Sequence, residues 1–253
     1  MMSKKFIVFI NILTFTGFFV FWEIISRSGF FNINLFPPPS IVWKAFLESL
    51  SSGEFIADVL ASLRRVTIGF IFGACIGILL GLLTGLVNIF RITIGQILIF
   101  FRNIPSIAFV PLAIVWFGIG EASKIFLVMW GVVFPVWINT HQGVIQVDKH
   151  YIWAIKSLGA NKLQTLKEVI LPDAFPFIAT GLRVGIALAF ITLVAAELAG
   201  AFYGIGYRIS ASHLIFRVDK MVLGITILGI LGLFADKLYV LLIRNYFQWV
   251  EIK

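Results

Sequence analysis

The chain has 253 residues, of which 60% are hydrophobic and only 13% are charged, and its mean hydropathy is +1.03. A soluble domain carries about 25% charged and about 45–50% apolar residues, so this composition excludes an ordinary soluble enzyme. The 27 phenylalanines exclude a disordered chain. In so apolar a chain, the net charge of +8 fits loops that face anionic lipid better than it fits a nucleic-acid surface.

Six segments are apolar over about the 20 residues that a helix needs to cross a membrane. Lys4 and Lys5 precede the first segment, which lacks the cleavage pattern of a secretory signal and is therefore predicted to be an uncleaved helix. Pro105 and Pro111 are expected to break the third segment and Pro135 to kink the fourth, because proline removes a helical hydrogen bond. The predicted spans are residues 6–25, 66–90, 92–118, 125–147, 176–202 and 221–243.

The positive-inside rule does not decide the orientation of these spans, because lysines and arginines are distributed almost evenly between the two sides. Six spans place both chain ends on the same side of the membrane. Lysines cluster in the loop at 148–172, which favours the cytoplasmic side for that loop.

Residues 30–63 lack the uninterrupted apolar sequence of a span. Three prolines at positions 37–39 are followed by Ser40, which we predict to be a helix N-cap. Apolar residues then recur at helical spacing, which predicts an amphipathic connecting helix that lies on the membrane or packs across the bundle. These residues are Ile41, Val42, Ala45, Phe46 and Leu50.

Five glycines, each four residues after the last, lie in the second predicted span. Four residues advance a helix by about 400°, so successive glycines drift by only about 40° and form one smooth strip. Such a strip lets the backbone of a second helix approach closely, which predicts tight helix packing. This glycine strip consists of Gly69, Gly73, Gly77, Gly81 and Gly85.

Charged residues inside predicted spans are candidates for function, because a bilayer penalises them. Arg102, beside Asn103 and just before Pro105, lies in a disturbed stretch of helix, where it either receives an anion or extends to the interface. Glu197, toward the end of the fifth span, is a candidate for an ion pair across a subunit interface or for part of an outer gate. Arg102, Asn103 and Glu197 are therefore the candidate substrate-pathway residues.

The polar segment between the fourth and fifth spans is organised like folded protein. Gly159 follows an apolar helical pattern, at the position where a helix-ending residue takes a positive φ. Asn161 and Gln164 match a capping box that starts a second short helix, and Pro172 is expected to end that helix. The apolar positions are Tyr151, Ile152, Ile155 and Leu158 in the first helix and Leu163, Leu166, Val169 and Ile170 in the second. Such organisation favours a docking element for a cytoplasmic partner over a purely connecting loop.

No motif indicates an enzyme. A Gly-x-x-x-x-Gly-Lys-Ser/Thr phosphate loop is absent, no serine lies in a Gly-x-Ser-x-Gly turn, and Cys75 has no thiol partner for a disulfide or a metal site. Arg183 is expected to be interfacial or lipid-facing, and the adjacent Asp236 and Lys237 are not expected to pair with each other. The histidines lack metal-ligand spacing and are each expected to be interfacial or packed: His141, His150 and His213.

The loop at 148–172 resembles a signature of the permeases of bacterial ABC importers, which reads Glu-Ala-Ala, three residues, Gly, nine residues, Ile, one residue, Leu-Pro. Here the corresponding residues are Trp153-Ala154-Ile155, Gly159, and Val169 to Pro172, with Trp153 in place of the leading Glu and Ile155 in place of the second Ala. Other segments, within about residues 36–236, resemble the branch that imports nitrate, taurine and alkanesulfonates. These segments are 104–108, 111–121, 181–183, 196–198 and 204–207.

The resemblance implies an all-α, polytopic membrane protein with about six transmembrane helices of the type I ABC importer permease fold. Two permease copies, as a homodimer, would form the pathway, with two cytoplasmic ATPase subunits beneath them and an external binding protein that delivers substrate. ATP and Mg would be bound by the ATPase, whereas this chain would bind no cofactor and no metal, and would contact membrane lipid but no nucleic acid. The loop and both termini would be cytoplasmic, in the bacterial inner membrane.

The resemblance also assigns residues and segments. The residues that would fit a cleft on the ATPase are Ala154, Gly159, Leu171 and Pro172, flanked by Leu158, Ala160 and Lys162. The expected segments are an N-terminal transmembrane helix (1–26), an external loop with the amphipathic helix (27–63), a permease core (64–243) that contains the coupling loop (148–172), and a cytoplasmic tail (244–253).

Two other functions stay open at this point. An autonomous channel or ion-coupled carrier would use Arg102 and Glu197 as coupling charges and make the 148–172 loop a passive linker. A membrane scaffold would use the glycine strip as its interaction surface. The substrate also stays open, among nitrate, sulfonates, taurine, bicarbonate and heterocyclic vitamin precursors.

Overall fold

The computed structural model describes residues 4–246, in which the chain is all-α and has no strand, as predicted. Residues 1–3 of the expected N-terminal segment and residues 247–253 of the expected tail lie outside the described residues. The helices are α1 (Lys4–Arg27), α2 (Pro39–Ser51), α3 (Glu54–Leu86), α4 (Asn88–Ile92), α5 (Ile94–Arg102), α6 (Val110–Phe117), α7 (Glu121–Gln146), α8 (Lys149–Ser157), α9 (Lys162–Thr165), α10 (Leu171–Gly200), α11 (Ile205–Leu214) and α12 (Val218–Tyr246). A 3₁₀ turn (Ser106–Phe109) precedes α6, and a π-helical turn (Leu166–Ile170) joins α9 to α10.

Within the described part of the chain, four helices are long and apolar enough to cross a membrane: Phe55–Leu86, Glu121–Gln146, Lys162–Gly200 and Val218–Asn245. Asn88–Arg102 and Ser106–Phe117 form a pair bent by 90°, which counts as a fifth crossing if it is one span. Helix α1, with 24 residues, covers the first predicted span. The predicted break at Pro105 is confirmed. The predicted break at Pro111 is wrong, because Pro111 lies in the first turn of α6. Backbone N–H groups in the first turn have no acceptor within the helix, so proline removes no helical hydrogen bond there.

Helices α3, α7 and α10 form the centre of the bundle. Helices α3 and α7 run parallel, since Gly69 lies against Val128 and Gly85 lies against Val144. Helix α10 runs antiparallel to α7, and α12 runs antiparallel to α10. We call the end that holds the 148–172 loop the loop end and the opposite end the far end. The fully buried aliphatic residues at the centre are Val128, Val132, Val136, Ala189 and Leu193.

Helix α3 begins well before the predicted second span and runs without a break from Glu54 to Leu86. The expected boundary between residues 63 and 64 therefore falls inside a continuous helix. The reason is local, since residues 54–68 contain neither proline nor glycine to interrupt it. Helix α12 likewise continues past the expected end of the core at residue 243.

The predicted N-cap at Ser40 is wrong, because Pro38 is the N-cap of α2 and Pro39 lies in its first turn. The backbone N–H and the hydroxyl of Ser40 instead donate to the carboxylate of Glu23 in α1, at 3.1 and 2.8 Å. A side chain from another helix thus satisfies an N–H group that the start of α2 leaves without a helical partner.

Helix α2 packs across the bundle, where Val42 and Ala45 are buried against α12. Arg217 and Lys220, at the start of α12, each donate a hydrogen bond of 2.9 Å to Glu48 of α2. The hydrogen bond from Arg217, which has the larger effect, and the one from Lys220 lower the pKa of the Glu48 carboxyl to about 2. The far ends of α2 and α12 are therefore joined by apolar burial and by charge.

Candidate functional site

The two helices of the loop meet at a glycine turn. Gly159 has a φ of +85°, as its position after α8 predicted. The N–H groups of Gly159 and Ala160 donate to the carbonyls of Lys156 and Ile155 at 3.0 and 3.2 Å, which is the hydrogen-bond pair of a helix that ends in a left-handed residue. No atom lies within 4 Å of a Cβ built on Gly159, so backbone conformation alone, and not lack of space, requires glycine here.

Side chains cap both loop helices. The predicted capping box is present, since the Gln164 N–H donates to the Asn161 side chain at 2.9 Å and the Asn161 N–H donates to the Gln164 side chain at 2.8 Å. Asp148 caps α8 by accepting from the His150 N–H at 2.8 Å. Asp148 was not among the predicted residues, although an aspartate before a helical pattern is a common N-cap.

The predicted helix end at Pro172 is wrong. Residues Lys162–Gly200 form a continuous run of 39 helical residues, in which Pro172 lies in the first turn of α10. The π-helical turn directly before it widens the backbone, which makes room for a proline ring that would clash with a carbonyl in a regular helix. The loop is therefore joined to the far end of the bundle by helix and not by a flexible connection.

The loop presents large apolar side chains at the protein surface. Tyr151 and Trp153 are each 60% exposed, Leu163 is 59% exposed and Leu158 is 87% exposed. A groove of about 570 Å³ lies between α8 and the start of α10. An exposed apolar patch in an otherwise polar loop is typical of a surface that a partner covers.

The predicted coupling residues surround this groove. Ala154, Leu158 and Pro172 line it. Gly159, Ala160 and Lys162 form the adjacent turn and the first residue of α9, and Leu171 is half-buried at the start of α10. The structure thus brings the predicted set together at one surface.

A second cavity, of about 660 Å³, lies between the bent helix pair, α7 and α10. Arg102 lines it together with Gly131 and Pro135 of α7. Because these two residues lie near the middle of the 26-residue α7, Arg102 lies at mid-depth in the bundle and not at the loop end. The rest of the lining is apolar apart from Ser106 and Thr192.

The other two candidate pathway residues do not line this cavity. The exposed Asn103 side chain donates to the Ile99 carbonyl at 2.7 Å and so ends α5. Glu197 is 1% exposed and lies inside the far end of the bundle. Of the three predicted residues, the structure therefore places only Arg102 in the cavity.

Aromatic rings hold the bent pair against α7 and so position Arg102. The Trp130 ring is the centre of this cluster, with ring centroids of its neighbours 4.7–5.8 Å away. The neighbours are Phe101 of α5, Phe109 of the 3₁₀ turn, and Phe126 and Phe134 of α7. Ring packing of this kind contributes beyond simple burial of apolar area.

Glu197 forms an ion pair, but its partner is Arg65 of the same chain and not a residue across a subunit interface. The carboxylate accepts from Arg65 Nη1 at 2.6 Å, from the Ser62 hydroxyl at 2.8 Å and from the Gly206 N–H at 2.8 Å. The side chains of Arg65 and Glu197 are both 0% exposed. A buried charge is tolerated only with such complete pairing.

Arg65 was not among the predicted residues, yet it is the centre of this network. It donates to Glu121 of α7 at 2.9 and 2.5 Å, and its guanidinium lies 4.6 Å from the centre of the Tyr203 ring. The sequence carries one signal for it, since Asp58, Ser62 and Arg65 are spaced at i, i+4 and i+7 on one face of α3.

The same face of α3 holds the start of α11. The Gly204 N–H donates to Asp58 at 2.6 Å, and the Ile205 N–H donates to the Ser62 hydroxyl at 3.0 Å. Together with the bond from Gly206 to Glu197, these contacts satisfy N–H groups at the beginning of the helix. The far end of the bundle is therefore joined by a buried polar network.

Arg183, which was expected to be interfacial or lipid-facing, forms an ion pair with Asp236 of α12. Arg183 donates to both carboxylate oxygens of Asp236 at 2.7 and 3.0 Å, and each side chain is 33% exposed. The pair joins α10 to α12. Hydropathy does not reveal which residues of two helices will pair in this way. The Asp236 carboxylate binds Arg183 of α10, and the adjacent Lys237 is about 100° further around α12, so the two do not share a helix face.

All five glycines of the strip lie against α7. A Cβ on Gly77 would come to 2.8 Å from the Val133 carbonyl oxygen and from the Val136 Cβ, and a Cβ on Gly81 would come to 2.4 Å from the Thr140 Cβ. Side chains on these positions would therefore push α3 and α7 apart.

No group of three or more His, Cys, Asp or Glu side chains within residues 4–246 has the arrangement of a metal site. His141 Nδ1 lies 3.0 Å from the Thr84 hydroxyl, which also accepts from Trp137 Nε1 at 3.0 Å. The His150 ring packs edge-on against Trp153, with centroids 5.3 Å apart.

Comparison with known sequences identifies relatives over most of the chain. A family model described as binding-protein-dependent transport system inner membrane component matches residues 73–248. A probable ABC transporter permease protein of Brucella abortus (strain 2308) is 37% identical over 242 residues, which cover 96% of each chain. The putative aliphatic sulfonates transport permease protein of Bacillus subtilis (strain 168) is 34% identical over 90% of this chain and 83% of its own length. The taurine transport system permease protein of Escherichia coli (strain K12) is 33% identical over 85% of this chain and 80% of its own length.

Solved structures of ABC transporters contain chains with the fold described above. A chain of the MetNI methionine ABC transporter, in an inward-facing conformation, matches with a TM-score of 0.68 at 21% identity, over 77% of this chain and 97% of that chain. A chain of an amino acid ABC transporter matches with a TM-score of 0.65 at 16% identity, over 79% of this chain and 97% of that chain. At these identities the similarity concerns the fold.

Proposed function

The chain belongs to the family of binding-protein-dependent transport system inner membrane components, the permease subunits of ABC importers, and from this premise we propose that it couples ATP hydrolysis by separate subunits to import of a small anion. A permease component is not itself an enzyme. In the proposal, two copies form the pathway as a homodimer in the bacterial cytoplasmic membrane. Two cytoplasmic ATPase subunits bind ATP and Mg, and an external binding protein delivers the substrate.

One observation carries the coupling role, namely the unbroken helix from the 148–172 loop into the bundle. The 39 helical residues Lys162–Gly200 begin beside the exposed apolar groove and continue past the cavity that contains Arg102. A force applied to the loop by an ATPase subunit would therefore move the wall of the cavity directly. The same proposal places the loop end and both termini in the cytoplasm.

The substrate class is proposed from Arg102 and from the relatives. Arg102 is an exposed residue that lines an otherwise largely apolar cavity at mid-depth, and its guanidinium is suited to a planar or tetrahedral anion and unsuited to a cation. Two copies that face one pathway would place two such groups there. Relatives are named for transport of aliphatic sulfonates, taurine and bicarbonate, which agrees with a small anionic or sulfonate-like solute as substrate here.

The competing proposal of an autonomous carrier is disfavoured by the position of Glu197. That carrier would need Arg102 and Glu197 as coupling charges in one pathway. Glu197 is instead buried in contacts with Arg65, Ser62 and Gly206, away from the cavity.

The test uses the full-length permease with its ATPase subunits and binding protein in proteoliposomes, and a panel of nitrate, bicarbonate, taurine and alkanesulfonates. We expect one of these anions to stimulate ATP hydrolysis and to accumulate in the lumen. Leu158→Glu places a charge on an 87% exposed side chain of the loop and should prevent co-purification of the ATPase.

Phe30→Glu is the matched control, since Phe30 is 88% exposed but lies between α1 and α2 at the far end. It should leave ATPase binding unchanged. Uptake without ATP by the permease alone, or normal ATPase binding by Leu158→Glu, would contradict the proposed function.

A further inference from the structure

Helices α1, α2 and α12 enclose an apolar groove of about 550 Å³ on the outside of the bundle. Phe19 and Trp22 of α1 form one wall, Trp43 and Phe46 of α2 form the base, and Ile230 of α12 is among the residues of the other wall. We call it the α1–α2–α12 groove. It is separate from the Arg102 cavity and from the groove of the 148–172 loop.

The two hydroxyls in the groove lining are hydrogen-bonded within the chain, whereas the indole Nε1 of Trp22 is buried without a hydrogen-bond partner among the described residues. The Thr226 hydroxyl donates to the Val222 carbonyl at 2.8 Å. The Ser40 hydroxyl donates to Glu23 at 2.8 Å and accepts from Arg27 at 3.0 Å. The lining is therefore mostly apolar and its hydroxyls are already paired, which suits a hydrocarbon occupant.

The groove lies at hydrocarbon depth in the far half of the membrane. Ile230 is about 18 Å along α12 from Val218, and Phe19 is about 12 Å along α1 from Arg27, at 1.5 Å per residue. A hydrocarbon core of about 30 Å has leaflets of about half that thickness. The groove thus spans the depth of one leaflet, beginning near the far-end interface.

Its rim carries positive charge. Arg27 is 56% exposed and pairs with Glu23 at 2.6 Å, and the exposed Lys44 lies one helical turn after Ser40 on α2. Two cations beside one carboxylate leave a net positive rim. This charge is complementary to a phosphate at the membrane surface.

The groove and the Arg102 cavity share no lining residue, because α1, α2 and α12 enclose the groove whereas the bent pair, α7 and α10 enclose the cavity. Ala179, Arg183 and Phe190 face α12, whereas Thr192 and Ala195 line the cavity. At 100° per residue these two sets occupy different faces of the helix. If a second copy completes the pathway at the cavity, as in the proposed function, its contact there does not cover the groove.

We propose that the α1–α2–α12 groove binds one acyl chain of a phospholipid of the outer leaflet, with the lipid phosphate beside Arg27 and Lys44. The assignment to the outer leaflet rests on the orientation in the proposed function, whereas the acyl-chain site itself does not. Lipid in this position would join α1 to α12.

The test uses the full-length protein in nanodiscs that contain phosphatidylglycerol with a photoreactive group in its acyl chain. After illumination, labelled peptides are mapped by mass spectrometry. We expect labelling concentrated on the groove residues of α1, α2 and α12. Ile230→Trp fills the groove at a 56% exposed position and should reduce this labelling by about tenfold, as loss of contact with a few methylene groups predicts.

Ile225→Trp is the matched control, at a 59% exposed position of the same helix that lies about 140° around it from Ile230 and outside the groove lining, and should leave labelling unchanged. Lys44→Gln should reduce labelling by phosphatidylglycerol by about fivefold, the effect of one cation near an anionic headgroup. These readouts need no transport, so their failure is distinguishable from failure of the proposed function.

Two results would overturn the proposal. In the first, labelling of the face of α12 that carries the 59% exposed Ile225, about 140° around the helix from Ile230, equals labelling of the groove, which would indicate nonspecific lipid contact. In the second, Trp43→Cys in a Cys75→Ser background forms a disulfide between two copies, which would show that a second copy covers the groove.

Discussion

Replacement of Gly159 by valine tests whether the loop turn transmits motion. Gly159 has a φ of +85°, and no atom lies within 4 Å of the Cβ position. The valine side chain therefore has space, and the whole perturbation falls on the backbone. A β-branched residue is among the least tolerant of the left-handed conformation.

The magnitude follows from two competing costs. If the turn persists, valine in the left-handed region costs about 1–2 kcal/mol. If the turn is abandoned, the bonds from Gly159 to Lys156 and from Ala160 to Ile155 are lost, at about 0.5–1.5 kcal/mol each. Because the two costs are similar, we expect two states to be populated, one with a strained turn and one in which the turn is lost and α8 is displaced. The geometry between α8 and α9 would then no longer be defined.

The assay measures substrate uptake and ATP hydrolysis in the same proteoliposomes. Gly159→Val should lower the number of substrates imported per ATP or prevent assembly with the ATPase. Gly159→Asn should restore much of the coupling, because asparagine tolerates a left-handed backbone.

Gly118→Val provides the control for strain alone. Gly118 has a φ of +76° and equally open surroundings, but it lies between α6 and α7 at the far end. It should lose a similar amount of stability without changing substrates imported per ATP. Normal coupling in Gly159→Val, or equal uncoupling in Gly118→Val, would refute the reasoning.

Three further substitutions test the bundle, the cavity and the buried network. Gly77→Leu should destabilise the folded protein by about 1–3 kcal/mol through overpacking against α7, measured by thermal unfolding in detergent, whereas Gly229→Leu, with no neighbour within 4 Å of its Cβ position, should not. Arg102→Ala should reduce anion uptake while ATPase binding persists, and Arg102→Lys should restore uptake only partly; uptake at the wild-type rate in Arg102→Ala would end the anion-site proposal. Glu197→Ala removes one of the two carboxylates that pair with the buried Arg65 and should lower the free energy of unfolding by about 3 kcal/mol. This is the low end for a broken buried pair, because Glu121 remains. Glu48→Ala, at an exposed pair, should change the unfolding temperature little.

The local features of this protein are determined by its sequence. Hydropathy alone predicts a polytopic all-α chain, because only helices satisfy every backbone group within one segment in lipid. The left-handed turn at Gly159 and the capping box of Asn161 and Gln164 follow from residues within a few positions of each other. The break at Pro105 follows in the same way from the chemistry of a single residue.

The pairings between helices were decided by the tertiary structure. Arg65 meets Glu197 across 132 positions of sequence, and Arg183 meets Asp236 across 53 positions, so no local pattern identifies the partner. Hydropathy reports that a segment is buried or lipid-facing, but it does not report which neighbour a charged side chain meets. Pro172 illustrates the limit for backbone as well, since its usual tendency to end a helix is overridden by a π-helical turn within a continuous helix. Packing of whole helices selects these partners, because a buried charge is stable only where the folded bundle brings an opposite charge to it.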